Sequence, residues 1–256
     1  MADWNPSNYL RFEDYRTRPA MDLVSRVRVA APRTVIDLGC GPGNSTQVLR
    51  GRWPDACVLG LDSSPGMISA ARENHPGQEW ALGDIGEWSS DEPLDVVFSN
   101  AALQWVPDHA RLVPHLFEQV ARDGALAFQI PARVYCSVQG LIEAVADDAA
   151  WVSRMDAARS ALTIEEPQVY YDLLAPVARA VDMWETIYHQ VMESPAAIVE
   201  WISSTGLRPY LDALDSEEER RHFVSLLVER VAASYPQRSD GMVLFPFRRI
   251  SVIAYT

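Results

Sequence analysis

Val35-Ile36-Asp37-Leu38-Gly39-Cys40-Gly41-Pro42-Gly43-Asn44 decides how this chain is read. Val35 and Ile36 are β-branched and read as the end of a buried strand. Gly39, Gly41 and Gly43 then fall at every second position. Glycine permits positive φ and lets a ligand lie close to the backbone. Asn44 or Ser45 can cap a helix that runs to Arg50. Strand, glycine turn and helix N-terminus together make a nucleotide-sized site at the carboxyl end of a strand. A dinucleotide fingerprint would set its third glycine three positions after the second, so the even spacing here argues against a nicotinamide oxidoreductase.

Working outward, Ala56 to Asp62 reads as a second buried strand that ends in an acid. An aspartate at that point can reach the ribose diol of a nucleoside. Ser63-Ser64-Pro65-Gly66 then starts a helix through Met67, Ile68, Ala70 and Ala71; Met67 suits either an adenine contact or the core. Gln78 to Leu82 is a short third strand followed by Gly83-Asp84-Ile85, where a carboxylate can accept from an exocyclic amine. Leu94 to Ser99 is the fourth strand, and Asn100-Ala101-Ala102-Leu103-Gln104-Trp105 follows at its ligand-facing end. Leu112 to Val120 reads as a helix and Gly124 to Ile130 as the fifth strand. This alternation with short connections predicts a doubly wound sheet.

Before the glycine turn, Asp3 to Pro19 is polar and aromatic, with Trp4, Tyr9, Phe12 and Tyr15 beside Arg11, Arg16 and Arg18. It suits either an arm packed on the surface or a lid over the ligand. A helix is expected over Ala20 to Val29, with Met21, Val24 and Val27 at helical spacing. From Val138 the rhythm changes. Val138 to Arg159 reads as helical, Val181 to Met192 as a strand, Pro195 to Leu214 and Glu217 to Tyr235 as helices, and Ile250 to Tyr255 as a closing strand.

The expected organisation is one domain, 1–256. It has an N-terminal arm 1–19, a ligand-binding core about 20–133, a helical cap with one returning strand about 138–236, and a closing strand 250–255. No apolar run approaches the ~20 residues needed to span a bilayer. The start, Met1-Ala2-Asp3-Trp4-Asn5-Pro6, lacks the basic-then-apolar layout of a secretory signal. Cys40, Cys57 and Cys136 show neither metal-ligand spacing nor a disulfide framework, so no metal is expected and a cytoplasmic location fits best.

Net charge is −13, a field that repels phosphate backbones and argues against a nucleic-acid partner. All 22 basic residues are arginine. Any anion held by side-chain charge must therefore meet arginine, whose fork suits carboxylates, or histidine.

The pattern D-x-G-x-G-x-G at Asp37 to Gly43, the acid at Asp62, Gly83-Asp84-Ile85 and the fourth-strand exit, in that order, resemble the class I S-adenosylmethionine-dependent methyltransferases. Asp3-Trp4-Asn5-Pro6-Ser7, Thr17-Arg18-Pro19, Leu103-Gln104-Trp105, Pro195 with Ile198-Val199-Glu200-Trp201, and Thr205-Gly206-Leu207-Arg208-Pro209-Tyr210-Leu211 resemble, more narrowly, the trans-aconitate methyltransferase family. Val134 to Tyr171 carries no recognisable motif.

The resemblance implies an α/β fold: a doubly wound Rossmann-like methyltransferase sheet, mostly parallel with an antiparallel C-terminal strand, plus a helical cap. It implies S-adenosyl-L-methionine as cofactor, S-adenosyl-L-homocysteine as product, and a small-molecule polycarboxylate, trans-aconitate, esterified at one carboxylate. The residues carried over for the cofactor are Asp37, Gly39, Gly41, Gly43, Asp62, Ser63, Met67, Asp84, Ile85 and Asn100. For the acceptor the candidates are Tyr9, Arg11, Arg18, Trp105, Arg248 and Arg249. A carboxylate with pKa near 4 is already a nucleophile at neutral pH, so no general base is expected, and His109 would affect binding rather than chemistry. The rival readings are a methyltransferase with another small acceptor, and a protein that binds the cofactor without turnover.

Overall fold

The computed structural model describes residues 13–132 and 137–256, the side chains of Glu13, Asp14 and Ser137 excepted. They form two compact units. The larger takes the described residues up to Pro131, with Thr163–Thr186 and Arg249–Thr256; the smaller takes Ala132–Leu162 and Ile187–Arg248.

A sheet organises the larger unit. The strands are β1 (Thr34–Leu38), β2 (Cys57–Asp62), β3 (Glu79–Leu82), β4 (Leu94–Asn100), β5 (Val120–Pro131), β6 (Ala180–Met192) and β7 (Val243–Tyr255), in the order β3-β2-β1-β4-β5-β7-β6, and Ile187–Met192 of β6 and Val243–Arg248 of β7 are counted with the smaller unit. β1 pairs parallel with both β2 and β4, so the strand order reverses there. Ligands of open α/β sheets sit outside the carboxyl ends of the strands at such a point. β3 and β5 extend the parallel set, and Arg249–Tyr255 of β7 runs antiparallel to β5. The parallel sheet and its reversed last strand are as the sequence implied.

Register fixes which side chains share a face. Val35, Val96, Phe98, Ala125, Ala127, Ile253 and Tyr255 lie on one face, against Ala20, Leu23 and Val24 from the first described helix, α1 (Glu13–Arg26), and Val27 just after it. Toward the carboxyl ends of β1, β4 and β5 the same face turns polar: Asp37, Asn100, Gln129, then Ser251 and Arg249 on β7. The first stretch of this face builds the core, and its end is a buried polar row.

Several boundaries differ from the sequence reading. α1 begins at Glu13 and carries Pro19 inside it. A proline forfeits one helical hydrogen bond, which is why the sequence reads as starting at Ala20. The helix continues past it because Arg16, Ala20, Leu23 and Val24 share one buried stripe. Helix His109–Glu118 starts earlier than expected, capped by Asp108, whose carboxylate accepts from the Arg111 amide. Val120 belongs to β5. A helix over Pro167–Leu174 has no counterpart in the sequence reading.

In the smaller unit the expected helix Val138 to Arg159 is broken. Helix Ser137–Ala146 ends before Asp148, whose carboxylate accepts from the Ala150 amide and turns the chain. Pro195 to Leu214 is two helices, Pro195–Ser203 and Arg208–Asp212, separated at Thr205-Gly206. Helix Glu217–Ser234 buries Phe223, Leu227 and Val231, and Trp151 stacks on Phe223 with ring centroids 5.3 Å apart. Arg154 pairs with Glu219 at 2.8 Å and holds that carboxyl down to about 2.

Candidate active site

At the glycine turn, the amides of Gly39 and Cys40 both donate to the Leu61 carbonyl, at 2.7 and 3.0 Å. The end of β1 is thereby tied to the end of β2. Gly39 has φ 75°, and a Cβ there would sit 2.1 Å from the Ala102 Cβ. The turn and the exit of β4 therefore touch only because this residue is glycine. Gly41, at φ 56°, has no heavy atom within 4 Å of a built Cβ. Its face is the open one, where a ligand can lie against the backbone.

Asp37 holds the turn from beneath. The hydroxyls of Ser45 and Thr46, in the first turn of helix Asn44–Arg52, both donate to its Oδ2 at 2.6 Å. Burial raises its pKa to about 6, against those two hydrogen bonds, which lower it. Its Oδ1 is buried with no hydrogen-bond partner among the described residues.

Asp62 joins turn to helix. Its Oδ2 accepts from the Gly41 amide at 2.8 Å and its Oδ1 from the Ser64 amide at 2.9 Å. The carboxylate is half-buried, positioned beside the open face of Gly41. Ser64 caps helix Pro65–Asn74 by accepting from the Met67 amide at 3.1 Å. Ser63 is exposed, and Met67 is buried at 3% exposure, in the core. Asp84 is exposed and accepts from the Gly86 amide. Ile85 is buried against the Gly39 turn. A nucleoside ligand fits this construction: an open glycine backbone, a carboxylate at the end of β2, and an apolar residue with an adjacent acid after β3.

The second part of the site lies at the ends of β4 and β5. Asn100 accepts from Gln129 Nε2 at 2.8 Å and donates to the Arg16 carbonyl at 3.4 Å. Ala101 takes φ 56°, a left-handed conformation uncommon for alanine. Gln104 Nε2 donates back to the Ala101 carbonyl at 2.7 Å. The exit is also latched from behind. His109 Nε2 donates to the Leu103 carbonyl at 2.9 Å, which leaves Nδ1 to accept from the Tyr170 hydroxyl at 2.7 Å. That hydroxyl in turn accepts from the Glu165 amide. Burial lowers the His109 pKa and raises that of Tyr170. The Thr163 amide donates to the Gln104 carbonyl at 2.8 Å.

Among the acceptor-side candidates, Tyr9 and Arg11 lie outside the described residues, as does the segment Asp3 to Ser7. Arg18 is on the exposed side of α1, Trp105 is half-buried beside Gln104, and Arg249 is buried at 7% exposure at the start of the polar row on β7. Arg248 belongs to the smaller unit. Sequence reasoning passed over three residues. Arg16 is 8% exposed, and its helical spacing from Ala20, Leu23 and Val24 was the available signal. Gln129 sat unmarked inside an apolar strand, where a single polar residue at its carboxyl end was the clue. Tyr170 lay in the motif-poor stretch, and nothing local marked it. Among the described residues, no group of three or more His, Cys, Asp or Glu side chains could hold a metal ion. No described helix is long and apolar enough to cross a membrane.

The family profile described as a methyltransferase domain matches residues 35–124, the glycine turn through the start of β5. The YcgJ protein of Bacillus subtilis is similar in fold, with a TM-score of 0.61 at 12% identity, over 93% of this chain and 98% of that one. So is Haemonchus contortus phosphoethanolamine N-methyltransferase 2, solved with S-adenosylhomocysteine, with a TM-score of 0.58 at 12% identity over 93% of this chain and 53% of that one. A trans-aconitate 2-methyltransferase of Methylobacterium radiotolerans is 48% identical over 99% of this chain and 98% of its own length. With that degree of likeness over both full lengths, this chain belongs to the trans-aconitate 2-methyltransferase family.

Proposed function

We propose that the protein transfers a methyl group from S-adenosylmethionine to one carboxylate of trans-aconitate, giving a methyl ester and S-adenosylhomocysteine. The observation that carries the reading is the full-length family membership, joined to an open glycine turn with Asp62 beside it. The cofactor brings a methyl carbon on a sulfonium. A carboxylate oxygen forms the new C–O bond as the C–S bond breaks, its electron pair passing to sulfur, and no proton moves.

The residues of the chain bind and position. Gly41 and Asp62 would hold the nucleoside part, with Asp84 and Ile85 after β3 toward the base. Asn100, at the end of β4, would serve the methionyl part. Oxygen and carbon must be held about 3 to 3.5 Å apart, with sulfur opposite. The carboxylate is ionised at neutral pH, so no base is required. His109 is consistent with that: both its ring nitrogens are engaged, one by a backbone carbonyl and one by Tyr170. Charge restricts where arginine belongs. Sulfonium and carboxylate neutralise each other as the bond forms, so an arginine on the attacking oxygen would stabilise the ground state more than the transition state. Arginines hold the carboxylates that do not react.

The test is turnover. Purified protein, S-adenosylmethionine and a panel of di- and tricarboxylates should release S-adenosylhomocysteine with trans-aconitate, and mass spectrometry should find its monomethyl ester. Binding of the cofactor without release across the panel would reject the reading in favour of a protein that binds without turnover.

A further inference from the structure

We propose that Arg16, together with Arg249, forms a carboxylate clamp at the polar end of the α1-covered sheet face. Three observations meet there. Arg16 falls on the buried stripe of α1, in line with Ala20, Leu23 and Val24, and is itself only 8% exposed. A stripe that packs a core is apolar along its length, and this one becomes cationic at the turn that reaches Asn100. The Asn100 side chain donates to the Arg16 carbonyl, which fixes that turn of the helix at the carboxyl end of β4. Register then carries the row across the sheet. Asn100 stands opposite Gln129, Gln129 opposite Ser251, and Arg249 opposite Pro131, so Arg249 projects from the same face one step further along. The helix stripe and the sheet face change from apolar to polar at the same end.

The third observation is Gln129. It is 1% exposed, its Nε2 is committed to Asn100, and its Oε1 has no hydrogen-bond partner among the described residues. A buried acceptor without a donor costs stability, and the donor it calls for is one that an ammonium group beside a ligand carboxylate would supply. In a protein of net charge −13 without lysine, two buried guanidiniums at a ligand edge suit a carboxylate held by fork hydrogen bonds.

Two carboxylate sources meet at such an edge: the amino-acid end of the cofactor and the non-reacting carboxylates of the acceptor. The clamp rests on the proposed methyl transfer, and the measurements separate the two. Arg16→Gln, Arg16→Lys and Arg249→Gln are assayed for calorimetric affinity to S-adenosylhomocysteine and to 5′-methylthioadenosine, which lacks the amino-acid end. KM and kcat are measured for trans-aconitate. Loss of a charged hydrogen-bonding pair should weaken the affected affinity about tenfold or more. Weakened S-adenosylhomocysteine with unchanged methylthioadenosine places the clamp on the cofactor. A raised KM with unchanged S-adenosylhomocysteine affinity and kcat places it on the acceptor. In either case Arg16→Lys should recover part of the loss, because it keeps the charge without the fork. If Arg16→Gln does not fold, Arg16→Lys decides. Unchanged affinities and KM in folded variants would overturn the clamp. Absence of turnover in the unsubstituted protein would overturn the methyl-transfer reading while leaving the two affinity measurements to judge the clamp.

Discussion

The ends of β1 and β2 and the ends of β4 and β5 form one edge of the sheet, the proposed ligand edge, built in two ways. At β1 and β2 the work is done by backbone: Gly39, Cys40 and Gly41 amides, a carbonyl of Leu61, and one carboxylate, Asp62, spanning the turn and the next helix. At β4 and β5 it is done by side chains from distant parts of the chain: Arg16, Asn100, Gln129 and Arg249, with His109 and Tyr170 behind. The first arrangement suits a ligand that is always the same nucleoside. The second can be altered one side chain at a time, which suits a part where the methionyl end of a cofactor meets an acceptor.

If the comparison is right, damage at the two ends should look different. The largest effect is expected from Gly39→Ala. It must strain a residue at φ 75° and push its Cβ into Ala102, which is itself fixed at the exit of β4. Strain and clash together should cost about 3 kcal/mol or more of stability, measured by urea unfolding. Gly41→Ala, with open space around it, should cost about 1 kcal/mol and act mainly on cofactor affinity. Equal losses of stability for the two would break the backbone account of this end.

Asp62→Ala comes next. It removes a charged acceptor from two backbone amides and from the proposed nucleoside contact, at about 1.5 to 3 kcal/mol. Titration with S-adenosylhomocysteine should show affinity falling tenfold or more. Unchanged affinity would remove Asp62 from the cofactor site.

The latch at the other end should cost less and act elsewhere. Tyr170→Phe leaves His109 Nδ1 and the Glu165 amide without the hydroxyl, at about 1 to 3 kcal/mol. It should disturb the Leu103 to Trp105 exit, so kcat with trans-aconitate should fall while S-adenosylhomocysteine affinity holds. A loss confined to cofactor affinity would show that the two ends are not separable.

Two of the buried titrating groups give opposite pH signatures. His109 has a folded pKa below its ordinary value near 6.5. The stability tied to its neutral form is whole above that pH and is lost as pH falls below it. Asp37 has a folded pKa raised from 3.8 to about 6. Its ionisation therefore weighs on the fold above about pH 6, and that burden lifts as pH falls from about 6 toward 4. Asp37→Asn should raise stability at pH 8 by on the order of 2 kcal/mol and give nothing near pH 4. Thermal melts across that range check it, and a gain that persists at pH 4 would contradict the assignment.

The smallest expected effect is the absence of one. Single-turnover methyl transfer with both ligands saturating should be nearly flat between about pH 6.5 and 8.5, because the attacking carboxylate stays ionised. A tenfold rise across that window would mean that an acceptor proton must be removed.

The sequence by itself determined the parallel sheet, the glycine turn and the acid at Asp62. Each of these is local: a β-branched run, glycines where positive φ is needed, and a carboxylate at a strand end reached within a few residues of the turn. The extra length of α1 was hidden by Pro19, because helix propensity is read locally while the stripe through Arg16, Ala20, Leu23 and Val24 is stabilised by the sheet beneath it. Arg18 stood inside a recognisable Thr17-Arg18-Pro19 and drew attention, yet it is Arg16 that faces inward. The polar row Asn100, Gln129, Ser251 and Arg249 exists only through strand register. The Tyr170 contact to His109 joins a helix in a motif-poor stretch to the exit of β4. No residue in these sets predicts its partners, since what brings them together is which face a strand presents and which strand lies beside it, and the tertiary structure alone decides both.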